Sequence, residues 1–108
     1  MTSKADDNQA EKTTIHVDPE IAELIPGFLE NRRKDIAAML DAVQRGEFET
    51  VRVLGHSMKG AGGGYGFDAI TEIGAALEQA AQQRNAAEIR NRVNELSCYL
   101  DRVEVISD

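Results

Sequence analysis

A glycine-rich segment, residues 55–66, constrains the fold of this chain most. It contains His56, has Lys59 one helical turn later, and places five glycines between positions 60 and 66. Apolar residues reach this segment and resume after it at helical spacing. Because glycine costs about 0.8–1 kcal/mol relative to alanine inside a helix, repeated glycine in a helix needs a physical reason. We interpret the glycines as clearing space around His56.

His56 is predicted to lie near the centre of an exposed helix face and not in the core. A helix that begins near Glu47 and turns by about 100° per residue has its buried stripe on the opposite side, at Val51, Leu54, Met58, Ala61 and Tyr65. The His56 side carries Glu49, Arg52, Val53, Lys59, Gly60, Gly63 and, if the helix persists that far, Phe67.

The preceding segment predicts a helix with a break near its start. Asp18 is a cap for a helix beginning near Pro19, and Pro26 predicts a kink or a restart. Gly46 suits the left-handed conformation that ends a helix. Arg32 interrupts the apolar stripe; we interpret it as a side chain at the core edge, the alternative being a cation near the site. The stripe consists of Ile25, Phe28, Leu29, Ile36, Met39, Leu40 and Val43.

Two further helices follow the glycine-rich segment. Gly66 marks the turn, and Asp68 and Asn85 are predicted to cap the third and fourth long helices. Gly74 allows a neighbouring helix to approach closely, and Cys98 projects away from the apolar side. The apolar faces are Ile70, Ile73, Leu77, Ala80 and Ala81 in the third helix, and Ile89, Val93, Leu96, Leu100 and Val103 in the fourth.

These elements predict an all-α fold. The sequence contains no sustained alternation of apolar and polar residues and no Asn-Gly turn, so nothing in it indicates a strand. Connections near Gly46, Gly66 and Asn85 are short, and short connections make neighbouring helices antiparallel. We therefore expect an antiparallel up-down-up-down four-helix bundle with a short, kinked N-terminal helical extension.

Length and charge limit the domain count and the partners. A chain of 108 residues makes one domain, predicted over residues 14–108, and the polar residues 1–13 are predicted to be a disordered leader or linker. His16, near this leader, is predicted to be exposed and inert.

A formal charge of −7 argues against nucleic acid or an anionic membrane as partner, and no apolar run could span a bilayer. The single Cys98 and the missing secretory signal favour the cytoplasm.

Several site chemistries are disfavoured by the residues. Two histidines and one cysteine, without any metal-ligand spacing, predict no metal site. A phosphate-binding loop needs its lysine after the glycines and a preceding strand, whereas Lys59 precedes most of the glycines. A Cys–His nucleophilic pair remains possible in principle, but nothing places Cys98 at His56.

An exposed histidine beside a cation has chemistry of its own. A neutral imidazole nitrogen is a competent nucleophile toward phosphorus. The Lys59 ammonium disfavours the charged imidazolium, and it can pair with phosphoryl oxygens once the group has arrived. Arg52, four residues before His56, is expected to add to both effects. Gly60 and Gly63 carry no side chain that would block a bulky donor.

The motif at residues 56–61 resembles the signature of histidine-containing phosphotransfer (HPt) domains. His56, Lys59 and Gly60 match the family's His, Lys and Gly, with small residues and Gly66 after them. Met58 replaces the usual leucine and keeps an apolar side chain at the buried side. Weaker similarities are found at residues 18–21 and 28–29 and at Leu77-Glu78, so that the resemblance covers roughly residues 15–105.

The resemblance implies a phosphoryl carrier without an ATP site or kinase activity of its own. His56 would be phosphorylated, Lys59 would stabilise the phosphoryl charge, and Gly60 would occupy the conserved small position. The implied partners are the receiver domain of a response regulator, which would supply Mg²⁺, and, as a further candidate, a hybrid sensor histidine kinase. The carrier itself needs no cofactor and is expected to be a monomer. Residues expected to face the partner or to support the site are Arg52, Val53, Gly60, Gly63 and Phe67.

Two other functions stay open at this point. One is a four-helix interaction module with the same fold that carries no phosphate. The other is a hydrolase or transferase that uses His56 as an acid or base, although no carboxylate or nucleophile is placed beside His56 by spacing. Gln82 or Arg84 could correspond to a polar residue that some family members contribute from the third helix.

Overall fold

The computed structural model describes residues 13–107 as five helices and two short strands. The predicted leader lies outside this range except for Thr13, its last residue. In chain order the elements are β1 (Thr13–Val17), α1 (Pro19–Ala22), α2 (Ile25–Gln44), α3 (Phe48–Tyr65), α4 (Asp68–Gln82), α5 (Ala86–Arg102) and β2 (Val103–Ser107). The described chain is therefore mostly helical, as predicted.

The short helix α1 and the break after it follow the predicted signals. The Asp18 side chain accepts a hydrogen bond of 2.9 Å from the Glu20 amide, and Pro19 occupies the first turn, where no amide hydrogen is needed. Helix α2 then begins at Ile25 with Pro26 in its first turn. Pro26 thus marks a restart of the helix.

The long helices end and begin largely where the sequence predicts. Gly46 and Gly66 have φ angles of 74° and 84°, in the left-handed region that glycine adopts without a steric penalty. The Asn85 side chain accepts a hydrogen bond of 3.1 Å from the Glu88 amide and caps α5. The prediction that Asp68 caps α4 is wrong: Phe67 holds the cap position, and Asp68 is the first helical residue.

The core lies among the four long helices. Helix α2 packs against α3 and α5, and α4 packs against the same two helices, with α3 and α4 in the most extensive contact. The predicted apolar stripes supply the core, except that Leu40 is 43% exposed. The largest fully buried side chains are those of Phe67, Ile25, Met39, Met58, Ile70, Leu77, Ile89, Leu96 and Val51.

The strands contradict the expectation of a chain without β structure. Strands β1 and β2 form a parallel pair, with Thr13 opposite Val103 and Val17 opposite Ser107. Val17 is buried, whereas Val103, assigned above to the last helical stripe, starts β2. Each strand has only five residues, and the two lie at opposite ends of the described chain. Runs this short show no periodicity that separates a strand from a helix, and nothing local indicates so distant a partner.

No helix within residues 13–107 combines the length and the apolar character that crossing a membrane requires.

Candidate functional site

His56 lies on the solvent-facing side of α3. Helix α3 stays helical through the glycine-rich segment to Tyr65, so the predicted angular arrangement applies along its length. The His56 side chain is 65% exposed, and Val53, one turn earlier, is 50% exposed. On the opposite side Val51 and Met58 are fully buried. The imidazole is therefore open to a partner molecule.

Glycines at the α3–α4 contact bring the two helix backbones close together. A Cβ atom on Gly74 of α4 would lie 2.6 Å from the Lys59 amide nitrogen and 2.8 Å from the Gly55 carbonyl oxygen. A Cβ on Gly55 would lie 2.8 Å from the Glu78 amide nitrogen. Real Cβ atoms do not approach backbone atoms this closely, so both positions require glycine. The contact also carries Glu78 to the edge of the His56 face.

Glu78 is the residue at this site that sequence reasoning missed. One carboxylate oxygen lies 3.0 Å from His56 Nδ1, and the other lies 3.0 Å from Lys59 Nζ. The bond from Lys59, and after it the bond from His56, holds the pKa of the Glu78 carboxyl below its ordinary value despite partial desolvation. One ionised carboxylate therefore links the histidine and the lysine of the motif.

The sequence contained only an indirect signal for Glu78. Leu77-Glu78 resembles a stretch of the HPt family. Helix α4 has two other acidic residues, Asp68 and Glu72, and spacing alone does not exclude either of them as the partner of His56. The glycines at positions 55 and 74 make the contact possible, because any larger residue there would keep the two helices apart.

The carboxylate fixes which ring nitrogen of His56 is free. An ionised carboxylate only accepts hydrogen bonds, so the contact at 3.0 Å requires a proton on Nδ1. In a neutral ring with its proton on Nδ1, the lone pair is on Nε2. The contact therefore leaves the lone pair of the exposed ring on Nε2, while the Lys59 ammonium is held on the other oxygen of the same carboxylate.

The Arg52 guanidinium pairs with a carboxylate of its own helix. It donates to the Glu49 carboxylate, with Nε 2.9 Å from Oε1, in a bond between residues three apart on α3. This pairing raises the pKa of Arg52 and lowers that of Glu49. Arg52 shares the exposed face with His56, but in this arrangement its charge is already matched by Glu49.

The expectation that Phe67 faces a partner is wrong. Phe67 is fully buried, and its ring stacks on Phe28 with centroids 5.3 Å apart. The left-handed Gly66 ends α3, so the helical rotation that placed Phe67 beside His56 no longer applies after it. The aromatic ring turns into the core instead.

The glycines of the segment divide into two groups. A Cβ on Gly60 or Gly64 would meet no atom within 4 Å, so internal packing does not require glycine there. A Cβ on Gly63 would lie at an ordinary 3.6 Å from Thr71 Oγ1. Gly62 differs, because its Cβ would lie 2.7 Å from both the amide nitrogen and Oγ1 of Thr71. Gly60 and Gly63 are exposed, as predicted for the surface around His56.

The three polar residues left open by the sequence lie in different places. Gln82 lines a shallow cleft of about 310 Å³ together with Lys59 and Glu78. The Arg84 guanidinium lies 4.7 Å from the centroid of Phe48, at the start of α3. Arg32 packs over the Phe28 ring and bonds to Asp35 at 2.8 Å, which confirms a position at the core edge. Only Gln82 lies beside Lys59.

A comparison with family models identifies one similarity. The model described as "Hpt domain" matches residues 23–104, which include α2 to α5 and thus His56, Lys59 and Glu78. Searches of curated proteins and of solved structures gave no match.

Proposed function

Because the chain belongs to the HPt domain family, we propose that it carries a phosphoryl group on His56 and exchanges it with the aspartate of a receiver domain. Domains of this family act in histidine phosphotransfer within two-component signalling, as carriers without kinase activity. The observation that supports His56 as the carrier is its exposed ring, bound through Nδ1 to the carboxylate that also binds Lys59.

The proposed transfer needs only groups that the two proteins supply. The Nε2 lone pair of neutral His56 attacks the phosphorus of an aspartyl phosphate. A P–N bond forms as the P–O bond to the aspartate breaks, and the aspartate leaves as a carboxylate. The phosphorylated ring keeps its Nδ1 proton and becomes cationic, so the Glu78 carboxylate stabilises the charge that develops on it. The Lys59 ammonium pairs with the phosphoryl oxygens.

The proposed partner supplies the remaining parts of the reaction. A receiver domain contributes the aspartate and Mg²⁺, and a hybrid sensor histidine kinase is the second proposed partner. We propose a transient contact between a monomer and the receiver, in the cytoplasm, centred on Val53, His56, Gly60 and Gly63. The four long helices are proposed to form the up-down-up-down bundle that presents this face.

Phosphoryl transfer from labelled receivers tests the proposal. Receiver domains phosphorylated with ³²P are incubated with the purified chain, and label on the chain is followed over time. We expect label from at least one receiver of a broad panel, in a linkage that acid hydrolyses and base does not, as for a phosphoramidate. If no receiver in the panel transfers label, the proposed function is wrong.

Replacing Lys59 with alanine should slow transfer about 10- to 100-fold, because a charge-assisted hydrogen bond to the phosphoryl group is lost. Helicity should stay unchanged, since the side chain is 40% exposed. Transfer rates and circular dichroism measure both effects. Arg90→Ala, an exposed cation on α5, is the matched control and should transfer at the wild-type rate. An unchanged rate in Lys59→Ala would remove Lys59 from the mechanism.

Replacing Glu78 with glutamine should allow the neutral His56 ring to populate both tautomers. A neutral amide can either donate to or accept from Nδ1, so the preference for a proton on Nδ1 weakens. We expect ¹⁵N NMR of the imidazole to report a mixture of tautomers, and transfer to slow about threefold to tenfold. Glu72→Gln, an exposed change on the same helix, should alter neither measurement. A wild-type tautomer in Glu78→Gln would contradict the assigned role.

A further inference from the structure

Helix α4 contacts Lys59 at three separate points. The Thr71 hydroxyl donates a hydrogen bond of 3.1 Å to the Lys59 carbonyl oxygen. Gly74 lies against the Lys59 amide, where any Cβ would come within 2.6 Å. Glu78 binds the Lys59 ammonium at 3.0 Å. These three residues recur three and four positions apart, so they share one face of α4.

The Thr71 bond acts where α3 is weakest. In a regular helix the Lys59 carbonyl also accepts the amide hydrogen of Gly63, four residues later. That bond belongs to a segment rich in glycine, which lowers helix stability because an unfolded glycine has many accessible conformations. A second bond to the same carbonyl, donated from a neighbouring helix, therefore stabilises the turn that follows Lys59.

The fit between Thr71 and Gly62 shows that this bond depends on the small size of Gly62. A Cβ on Gly62 would lie 2.7 Å from Thr71 Oγ1, which would displace the hydroxyl. A Cβ on Gly63 would lie at an ordinary contact distance of 3.6 Å from Oγ1, so the bond does not require glycine there. Thr71 is half-buried at this contact, so its hydroxyl is partly shielded from water that would compete for the bond.

We propose that Thr71 is a positioning residue, whose hydroxyl holds the backbone of Lys59 in the glycine-rich segment and thereby keeps the Lys59 ammonium beside His56. The inference rests on the proposed function, because it assigns Thr71 an effect on phosphoryl transfer that acts through Lys59. Thr71 itself does not touch the reacting atoms.

Two substitutions separate the hydroxyl from the packing of Thr71. Thr71→Val keeps the shape and removes the hydrogen bond, whereas Thr71→Ser keeps the hydroxyl and removes a methyl group. We expect Thr71→Val to slow transfer from a phosphorylated receiver about threefold to tenfold and to speed amide hydrogen exchange at Gly63. Thr71→Ser should stay within about twofold of wild type in transfer rate. The melting temperatures of both variants measure how far each substitution destabilises the domain as a whole.

A double-mutant cycle tests whether Thr71 acts through Lys59. In a Lys59→Ala background, adding Thr71→Val should change the transfer rate by less than about twofold, because the ammonium to be positioned is absent. An equal slowing in both backgrounds, or a Thr71→Ser variant as slow as Thr71→Val, would overturn the inference.

Failure of this inference can be told apart from failure of the proposed function. If the wild-type chain accepts label but Thr71→Val transfers at the same rate with unchanged exchange at Gly63, the role of Thr71 alone is wrong. If the wild-type chain accepts no label from any receiver, the proposed function is wrong, and the role of Thr71 in transfer is wrong with it.

Discussion

Replacing His56 with glutamine is expected to abolish phosphoryl acceptance completely while leaving the fold intact. Glutamine has no lone pair on nitrogen that can attack phosphorus, because its amide nitrogen is delocalised into the carbonyl. Its side chain can still bond to Glu78 from a similar position. The His56 side chain is 65% exposed, so its loss removes little buried surface. Transfer of ³²P from a receiver measures the first effect, and thermal unfolding measures the second.

The other histidine is the control for this experiment. His16 lies in β1, outside the matched residues 23–104, and its side chain is exposed. His16→Gln should accept label at the wild-type rate. Label that still appears on His56→Gln, or disappears from His16→Gln, would show that His56 is not the acceptor.

Replacing Gly74 with alanine is expected to destabilise the domain by about 3 kcal/mol, near the upper end of the cost of overpacking. The added methyl group would lie 2.6 Å from the Lys59 amide nitrogen and 3.0 Å from its Cα. Since these are backbone atoms, only a shift of α3 from α4 relieves the contact. The same shift would separate Glu78 from His56 and Lys59, so transfer should slow as well. Urea unfolding and transfer rates provide the two measurements.

Gly64→Ala is the matched control for Gly74→Ala. A Cβ at Gly64 meets no atom within 4 Å, and Gly64 has no positive φ. This substitution should raise stability by about 0.5–1 kcal/mol, since alanine is the better helix former. If Gly74→Ala unfolds at the wild-type urea concentration, the two helices are not in the close contact described.

The positions of the helices followed from local signals in the sequence. Apolar spacing identified the faces that are buried, and Asp18, Gly46, Gly66 and Asn85 identified helix boundaries. These signals work because they depend on residues within one or two turns. The same method misplaced Phe67, since the helical rotation was continued past the residue that ends α3.

The strands and Glu78 could not be predicted in this way. Each strand is defined by a partner about ninety residues away, as between Thr13 and Val103. The contact of Glu78 with His56 spans 22 residues and depends on how far apart two helix axes lie. Neither the strand pairing nor the Glu78 contact produces a periodic pattern in the sequence.

Local spacing was enough to predict that His56 and Lys59 share an exposed helix face, because side chains three residues apart lie together on any helix. That one carboxylate joins them depends on the tertiary structure. Gly55 and Gly74 allow α3 and α4 to approach until Glu78 reaches both side chains. The approach of two helices is set by packing across their whole contact, and local spacing does not encode it.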